Sequence, residues 1–177
     1  MFNGYRISLA VALLLTAVPA PAEVACRELA VDLGHSVEAP PVSLRLSSGF
    51  GLVAVGRENQ EWRYSVVSLA NGIVEASGSV PASVVFYDGC RRTGNITDDV
   101  CLLTADGVSV LDPETGDLDP VLEIDNLYRE HPARGPAHSD FVRDVDGDDL
   151  DDLVLPGFEG WIVARQTDDG FDEFVLD

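Results

Sequence analysis

Two stretches of this chain share one pattern and align without a gap, which favours a fold built from repeated β units. Residues 98–110 (DDVCLLTADGVSV) lie over residues 151–163 (DDLVLPGFEGWIV), and each has an Asp pair, an apolar strand, an acidic-Gly turn and a second apolar strand. Residues 64–74 lie in the same way over residues 108–118. A spacing in the forties to low fifties is typical of four-stranded repeat units. The alternative is a β-sandwich whose hairpins resemble one another by chance.

The chain from Val42 onward is typical of β-structure. Short runs rich in β-branched residues, such as GLVAV at residues 51–55, alternate with turn signals such as Asn71-Gly72. In the aligned hairpins, Gly72 and Gly116 are expected at the positive-φ position that closes the turn. The sequence therefore predicts an all-β domain over residues 23–177, with units at about residues 43–82, 83–127 and 139–177.

The stretch from Asp144 to Asp152 has the composition of a metal-binding loop. Asp144, Asp146, Asp148 and Asp152 stand at relative positions 1, 3, 5 and 9, and carboxylates so close together repel each other unless a cation lies between them. Calcium favours about six to eight oxygen ligands from a flexible loop of carboxylates and carbonyls. Leu150, at position 7, would offer its backbone carbonyl. We therefore expect a calcium loop between two strands.

The same residues have two other interpretations, an EF-hand and a metal-free acidic turn. An EF-hand needs Gly at position 6, Glu at position 12 and flanking helices, but Asp149 and Leu155 stand at those positions and the flanks are short and strand-like. A solvated acidic turn without metal remains the alternative, because Asp-rich turns are common in acidic proteins.

The motif Asp-x-Asp-Gly-Asp-x-x-x-Asp, followed by an apolar strand, resembles the FG-GAP or VCBS repeat, the calcium-loop repeat of integrin-type β-propellers. The resemblance covers the loop and the strand after it, and is loose elsewhere. It implies one four-stranded antiparallel blade per repeat, with calcium held by the Asp side chains and the Leu150 carbonyl. About three blades do not close a propeller. We therefore expect an incomplete or truncated array that needs further blades or a second chain to close.

The N-terminus is typical of a secretory signal peptide over residues 1–22. Arg6 precedes an apolar run that ends at Val18, and small residues follow up to a cleavage position at Ala20 or Ala22. The run is short for a membrane span, so a signal anchor is the less favoured interpretation. A lipoprotein anchor at Cys26 fits poorly, because Glu23 stands where an aliphatic residue is expected. The prediction is a secreted, periplasmic or cell-surface protein that is not an integral membrane protein.

The loop at residues 88–99 takes the place of the calcium loop in the preceding unit, but its residues depart from the pattern. Arg91 and Arg92 fall where acidic ligands are needed, so this copy is expected to have lost its metal. Cys90 and Cys101 flank the loop and are expected to form a disulfide that restrains it. A pairing of Cys26 with either of them stays open, because connectivity does not follow from sequence.

The charge of the chain excludes some classes of partner. The formal net charge is −20, and every basic residue is Arg. Nucleic acids and anionic membranes are excluded, because they require basic patches. A salty habitat is the alternative explanation of the acidity as a whole.

The sequence offers little support for catalysis. It contains no Gly-x-Ser-x-Gly, His-Glu-x-x-His or phosphate-loop motif. The resemblance to FG-GAP-type propellers implies that inter-blade loops line one face and meet a ligand, so the irregular linker at residues 128–139 offers candidates for a binding face: Arg129, His131, Arg134 and His138. We therefore expect a calcium-binding module with a binding or structural role and an extracellular protein or carbohydrate ligand. By analogy of fold, the alternative is an enzyme or accessory domain acting on extracellular polysaccharide.

Overall fold

The computed structural model describes residues 6–11, 27–124, 127, 135–168 and 170–176, and within them the chain is all-β, as predicted. No helix in this part of the chain is long and apolar enough to cross a membrane. At the N-terminus, β1 (Arg6–Val11) pairs antiparallel with β2 (Arg27–Asp32). β1 falls within the predicted signal peptide. Ala20, Ala22 and Cys26 lie outside the described residues.

Two four-stranded antiparallel sheets flank the middle of the molecule, and this confirms the predicted type of unit. Each runs from strand to neighbouring strand in chain order. Sheet 1 consists of β3 (Val42–Leu46), β4 (Gly49–Glu58), β5 (Glu61–Ser68) and β6 (Val74–Ser79). Sheet 3 consists of β12 (Val142–Arg143), β13 (Asp152–Pro156), β14 (Trp161–Thr167) and β15 (Gly170–Leu176).

Sheet 2 lies between the other two and departs from the expected antiparallel pattern. Its antiparallel strands are β7 (Phe86–Cys90), β8 (Asp99–Leu103), β9 (Gly107–Leu111) and β10 (Leu118–Glu123), and a fifth strand, β11 (Ala137–His138), pairs parallel to β7. β11 comes from the predicted linker, and a strand of two residues is too short to produce a period-2 pattern. The three sheets do not close into a ring in the part of the chain described.

Apolar side chains from both faces of sheet 2 form two separate cores. Val100, Leu102 and Leu111 pack against sheet 1. Their neighbours Leu103 and Val110 point to the opposite face and pack against sheet 3. Successive side chains in a strand alternate between faces, so a strand buried on both faces is apolar throughout, as β8 is after its first residue.

The turn glycines of the aligned hairpins adopt the predicted conformation. Gly72 has φ 73° and Gly116 has φ 82°, in the left-handed region. Each donates its N–H at 2.9 Å to the carbonyl oxygen four residues earlier, that of Ser68 or Asp112. The two hairpins therefore close in the same way, as their alignment indicates.

The predicted Cys90–Cys101 disulfide is not formed in the structure. Both residues are buried free thiols, with Cys101 Sγ 2.7 Å from Cys90 Sγ. On the paired strands β7 and β8, Cys101 lies opposite Asp88 and Cys90 lies opposite Asp99, so the two cysteines are diagonal neighbours. Both side chains lie on the face of sheet 2 that packs against sheet 3, which brings the two thiols into contact. The thiol contact and burial raise the pKa of Cys90 well above its ordinary value.

Candidate metal centre

The acidic loop, residues 144–151, joins β12 to β13 in sheet 3. Arg143 pairs with Asp152 across the base of the loop. Gly147 has φ 84° and Asp149 has φ 68°, so both adopt the left-handed conformation. Asp is among the few residues besides glycine that adopt it readily. These two residues let the loop turn tightly enough to bring its two ends together.

Three of the predicted ligands converge at one point. Asp144, Asp146 and Asp152 each place one carboxylate oxygen within 4.8 Å of the others. Oxygens on opposite sides of one calcium ion lie about 4.6–5.2 Å apart, twice the usual calcium–oxygen distance. The three oxygens are therefore close enough to share a single cation. Asp144 and Asp146 are exposed, whereas Asp152 is fully buried.

Backbone N–H groups orient these carboxylates. The Asp144 carboxylate accepts the N–H of Gly147 at 2.6 Å and of Asp149 at 3.1 Å. These hydrogen bonds, chiefly the one from Gly147, hold the pKa of Asp144 below its ordinary value. Asp152 accepts the N–H of Val145 at 2.9 Å and of Gln166 at 2.8 Å. The loop thus holds ionised carboxylates in place through neutral donors, which do not cancel their charge.

The other two predicted ligands are placed differently. Asp148 is not part of the cluster, and its Oδ1 accepts the N–H of Leu150 at 2.9 Å. Leu150 is half-buried at the end of the loop. The geometry therefore supports three side-chain ligands directly, and leaves the roles predicted for Asp148 and the Leu150 carbonyl as expectations.

Among the described residues, Arg165 forms an ion pair with the cluster. Arg165 Nη1 lies 3.6 Å from Asp146 Oδ2, and Arg165 Nη2 lies 3.9 Å from Asp172 Oδ2. The side chains of Arg165 and Asp146 are 44% and 34% exposed. Exposed pairs of this kind contribute about 0–1 kcal/mol. Arg165, shared between two carboxylates, is too weak a partner to neutralise the three clustered ones.

The 88–99 loop of sheet 2 clamps the acidic loop from outside. The main-chain N–H of Arg91 donates to Asp151 Oδ2 at 2.6 Å, and its guanidinium donates to the carbonyl oxygen of Asp149. Gln166 Nε2 donates to the carbonyl oxygens of Arg91 at 3.0 Å and Asp151 at 2.7 Å. Gln166 Oε1 accepts the N–H of Thr93 at 2.7 Å. Sequence reasoning missed Gln166, because a single polar residue in a strand carries no signal of its distant partners.

Sheet 2 carries an arginine beside the residue that aligns with Asp152. That residue is Asp99, whose side chain is only 4% exposed and lies 2.7 Å from Arg92 Nε. Asn95 Nδ2 donates to the same Asp99 oxygen at 3.0 Å, and Arg92 Nη1 lies 3.3 Å from Asp119. Burial raises the pKa of Asp99, and the bonds from Arg92 and Asn95 lower it by less. A fixed guanidinium thus lies where sheet 3 has its carboxylate cluster.

His138, in the predicted linker, does not join the acidic cluster. His138 Nε2 lies 3.3 Å from Asp88 Oδ1, in sheet 2. The other Asp88 oxygen accepts the N–H groups of Phe141 and Val142, each at 3.1 Å. Asp88 therefore anchors the start of sheet 3 to β7. Arg129, His131 and Arg134 lie outside the described residues.

Comparison of the chain with protein-family models, with curated proteins and with solved structures found no match.

Proposed function

We propose that this chain is an exported calcium-binding β-repeat protein that acts as a binding or structural module. Asp144, Asp146 and Asp152 supply its side-chain ligands. Asp148, the Leu150 carbonyl and water complete the six to eight oxygens that calcium prefers. In this proposal the three sheets are blades of an incomplete propeller-like array of the FG-GAP or VCBS type, which further blades or a second chain would complete.

The observation that carries the proposal is the convergence of three carboxylate oxygens within 4.8 Å, one of them on a fully buried residue. The hydrogen-bond donors to Asp152 are neutral backbone groups, and Arg165 is a weak partner of Asp146. Carboxylates so close together repel each other when ionised, and a cation between them removes that repulsion. An all-oxygen ligand set favours calcium or magnesium over zinc, and a flexible loop suits the larger ion.

The alignment of sheets 2 and 3 gives independent support. Asp99 and Asp152 are both buried at the start of the equivalent strands β8 and β13. In sheet 2 the cation beside this position is Arg92. A buried carboxylate at this place in the repeat therefore needs positive charge, and we assign that role in sheet 3 to calcium.

Calcium titration by isothermal calorimetry on the metal-free protein tests the proposal. We expect one calcium per chain, because the sheet 2 loop already holds its own cation. Asp144→Asn should abolish binding, and the control Asp172→Asn should leave it intact, since Asp172 lies beside Arg165 outside the cluster. Absence of calcium binding to the wild type at millimolar calcium would contradict the assignment. The alternative, an enzyme acting on extracellular polysaccharide, has no comparable support among the described residues.

A further inference from the structure

Sheet 3 has one covered face and one open face. On the covered face, Leu153, Leu155, Ile162 and Ala164 are buried against sheet 2. The side chains of the opposite face form one apolar patch, because Trp161 pairs with Leu176 and Val163 with Phe174. We call this patch the open face; it consists of Val154, Pro156, Trp161, Val163, Phe174 and Leu176. Trp161, Phe174 and Leu176 are 56%, 48% and 55% exposed.

The equivalent residues of sheet 2 form an interface between sheets. In the gapless alignment, Val154, Pro156, Trp161 and Val163 lie over Cys101, Leu103, Val108 and Val110. All four sheet 2 residues are buried in the core shared with sheet 3. The open face thus continues, one unit further on, a contact surface that the molecule already uses between its own sheets. Monomers rarely expose contiguous apolar patches of this kind.

The opposite end of the molecule is already covered. Leu33, with Val31 and Val37 around it, packs on Ala54 and Val67, on the face of sheet 1 that points away from sheet 2. The backbone of the same segment is fixed, because Glu38 N–H donates to the carbonyl oxygen of Val55 at 3.2 Å. A second copy of the chain therefore cannot stack sheet 1 onto the open face of the first without displacing this segment. A contact between the open faces of two copies needs no such displacement.

The open face has features that can complement themselves. An exposed indole, Trp161, forms one wall of an apolar groove of about 540 Å³, whose lining also includes Phe86, Leu103 and Phe141. At the far end of the face, Arg165 and Asp172 provide both signs of charge. A two-fold contact needs each surface to offer both a projection and its complement. We propose that the open face of sheet 3 docks on the open face of a second copy of this chain, giving a closed dimer.

Net charge sets the conditions under which the dimer forms. Each copy carries a formal charge of −20, so two copies repel each other at low ionic strength. The screening length falls to about 3 Å in 1 M salt, which removes most of this repulsion and strengthens apolar contact. The dimer fraction should therefore rise with salt concentration.

The test is sedimentation equilibrium of the full 177-residue chain at several concentrations, in low salt and in 1 M NaCl. The wild type should approach twice the 19.0 kDa chain mass in high salt. Phe174→Glu, on the open face, should return the mass to that of one chain. Val175→Glu is the matched control, because Val175 is 62% exposed on the same strand but points to the other face. Trp161→Ser is a second open-face variant that should also be monomeric, should Phe174→Glu fail to fold by circular dichroism.

Several outcomes would overturn the inference. A wild type that stays monomeric in all conditions has no self-association through this face. Dimers that survive both open-face variants use another surface, and loss of the dimer in Val175→Glu as well places the contact at the edge of β15. A mass above two chains excludes a closed two-fold contact. If the wild type stays monomeric and binds an apolar dye through Trp161 and Phe174, the open face binds a different partner.

Discussion

Arg92 Nε lies 2.7 Å from the Asp99 carboxylate, at the point in sheet 2 that aligns with the buried Asp152 of sheet 3. The two sheets thus share a buried acid at the start of equivalent strands, but differ in what stands beside it. Sheet 2 has a guanidinium, whereas sheet 3 has two more carboxylates. A side-chain cation needs no metal supply, so we expect this part of sheet 2 to be stable with or without calcium.

Arg92→Met should destabilise the protein in a pH-dependent way. Burial already raises the pKa of Asp99, and the substitution removes the guanidinium that lowers it, so the pKa rises further. The added cost is small near pH 3, below the ordinary pKa of an Asp, where the carboxyl is protonated in both the folded and the unfolded state, and it grows at higher pH, where ionised Asp99 has lost its guanidinium partner. We expect a loss of about 2–3 kcal/mol in the free energy of unfolding at pH 7.

Urea unfolding at pH 3 and pH 7 measures this difference. The control is Arg143→Met, because Arg143 and its partner Asp140 are 58% and 74% exposed and such pairs contribute little. An equal loss at both pH values for Arg92→Met would show that the arginine acts by packing and does not compensate the charge of Asp99.

Gln166→Ala should destabilise the protein and weaken calcium binding together. The amide of Gln166 satisfies two carbonyl oxygens and one N–H in the clamp between the two loops, and their loss leaves buried polar groups without partners. We expect a loss of about 2–3 kcal/mol in unfolding free energy. The affinity for calcium should fall because Asp151, beside the ligand Asp152, loses an anchor.

The matched control for this variant is Gln60→Ala, in the exposed turn between β4 and β5. Chemical denaturation gives the stability of both variants, and calorimetry gives their calcium affinity. If Gln166→Ala lowered stability but left the affinity unchanged, the clamp would not position the acidic loop.

Asp149→Gly should be tolerated or stabilising, and Asp149→Val should be destabilising. Asp149 has φ 68°, a conformation that glycine adopts freely and that a β-branched residue resists at a cost of about 1–3 kcal/mol. Its carboxylate is not part of the cluster, so neither substitution removes a ligand. Thermal melts of the two variants in chelator separate the backbone effect from calcium binding. Equal melting temperatures would mean that the loop does not depend on this conformation.

The sequence predicts the fold and the acidic loop well where the signal is local. Buried and more exposed side chains alternate along β13 and β14 because one face of sheet 3 packs against sheet 2 and the other is open. Gly72 and Gly116 mark their turns because few other residues tolerate positive φ. The three clustered carboxylates are close in sequence, so a tight turn is enough to bring them together.

Features that depend on distant pairing could not be predicted in this way. β11 is a strand only because Ala137 and His138 lie along β7, and two residues carry no periodicity. Gln166 meets Arg91 and Thr93 from another sheet. The predicted disulfide is not formed: Cys90 and Cys101 flank one loop and meet as free thiols at diagonal positions of β7 and β8. Register is set by the whole sheet and is not visible in the spacing of two residues.

The most direct test of the calcium assignment is thermal unfolding of the wild type and Asp146→Ala, each with about 10 mM calcium and with chelator. A site with a dissociation constant of about 0.1 mM would stabilise the wild type by about 2.7 kcal/mol, which raises its melting temperature by about 5–10 °C. Asp146→Ala should show no such shift. Equal melting temperatures with calcium and chelator in the wild type would contradict the assignment and identify the loop as a solvated acidic turn.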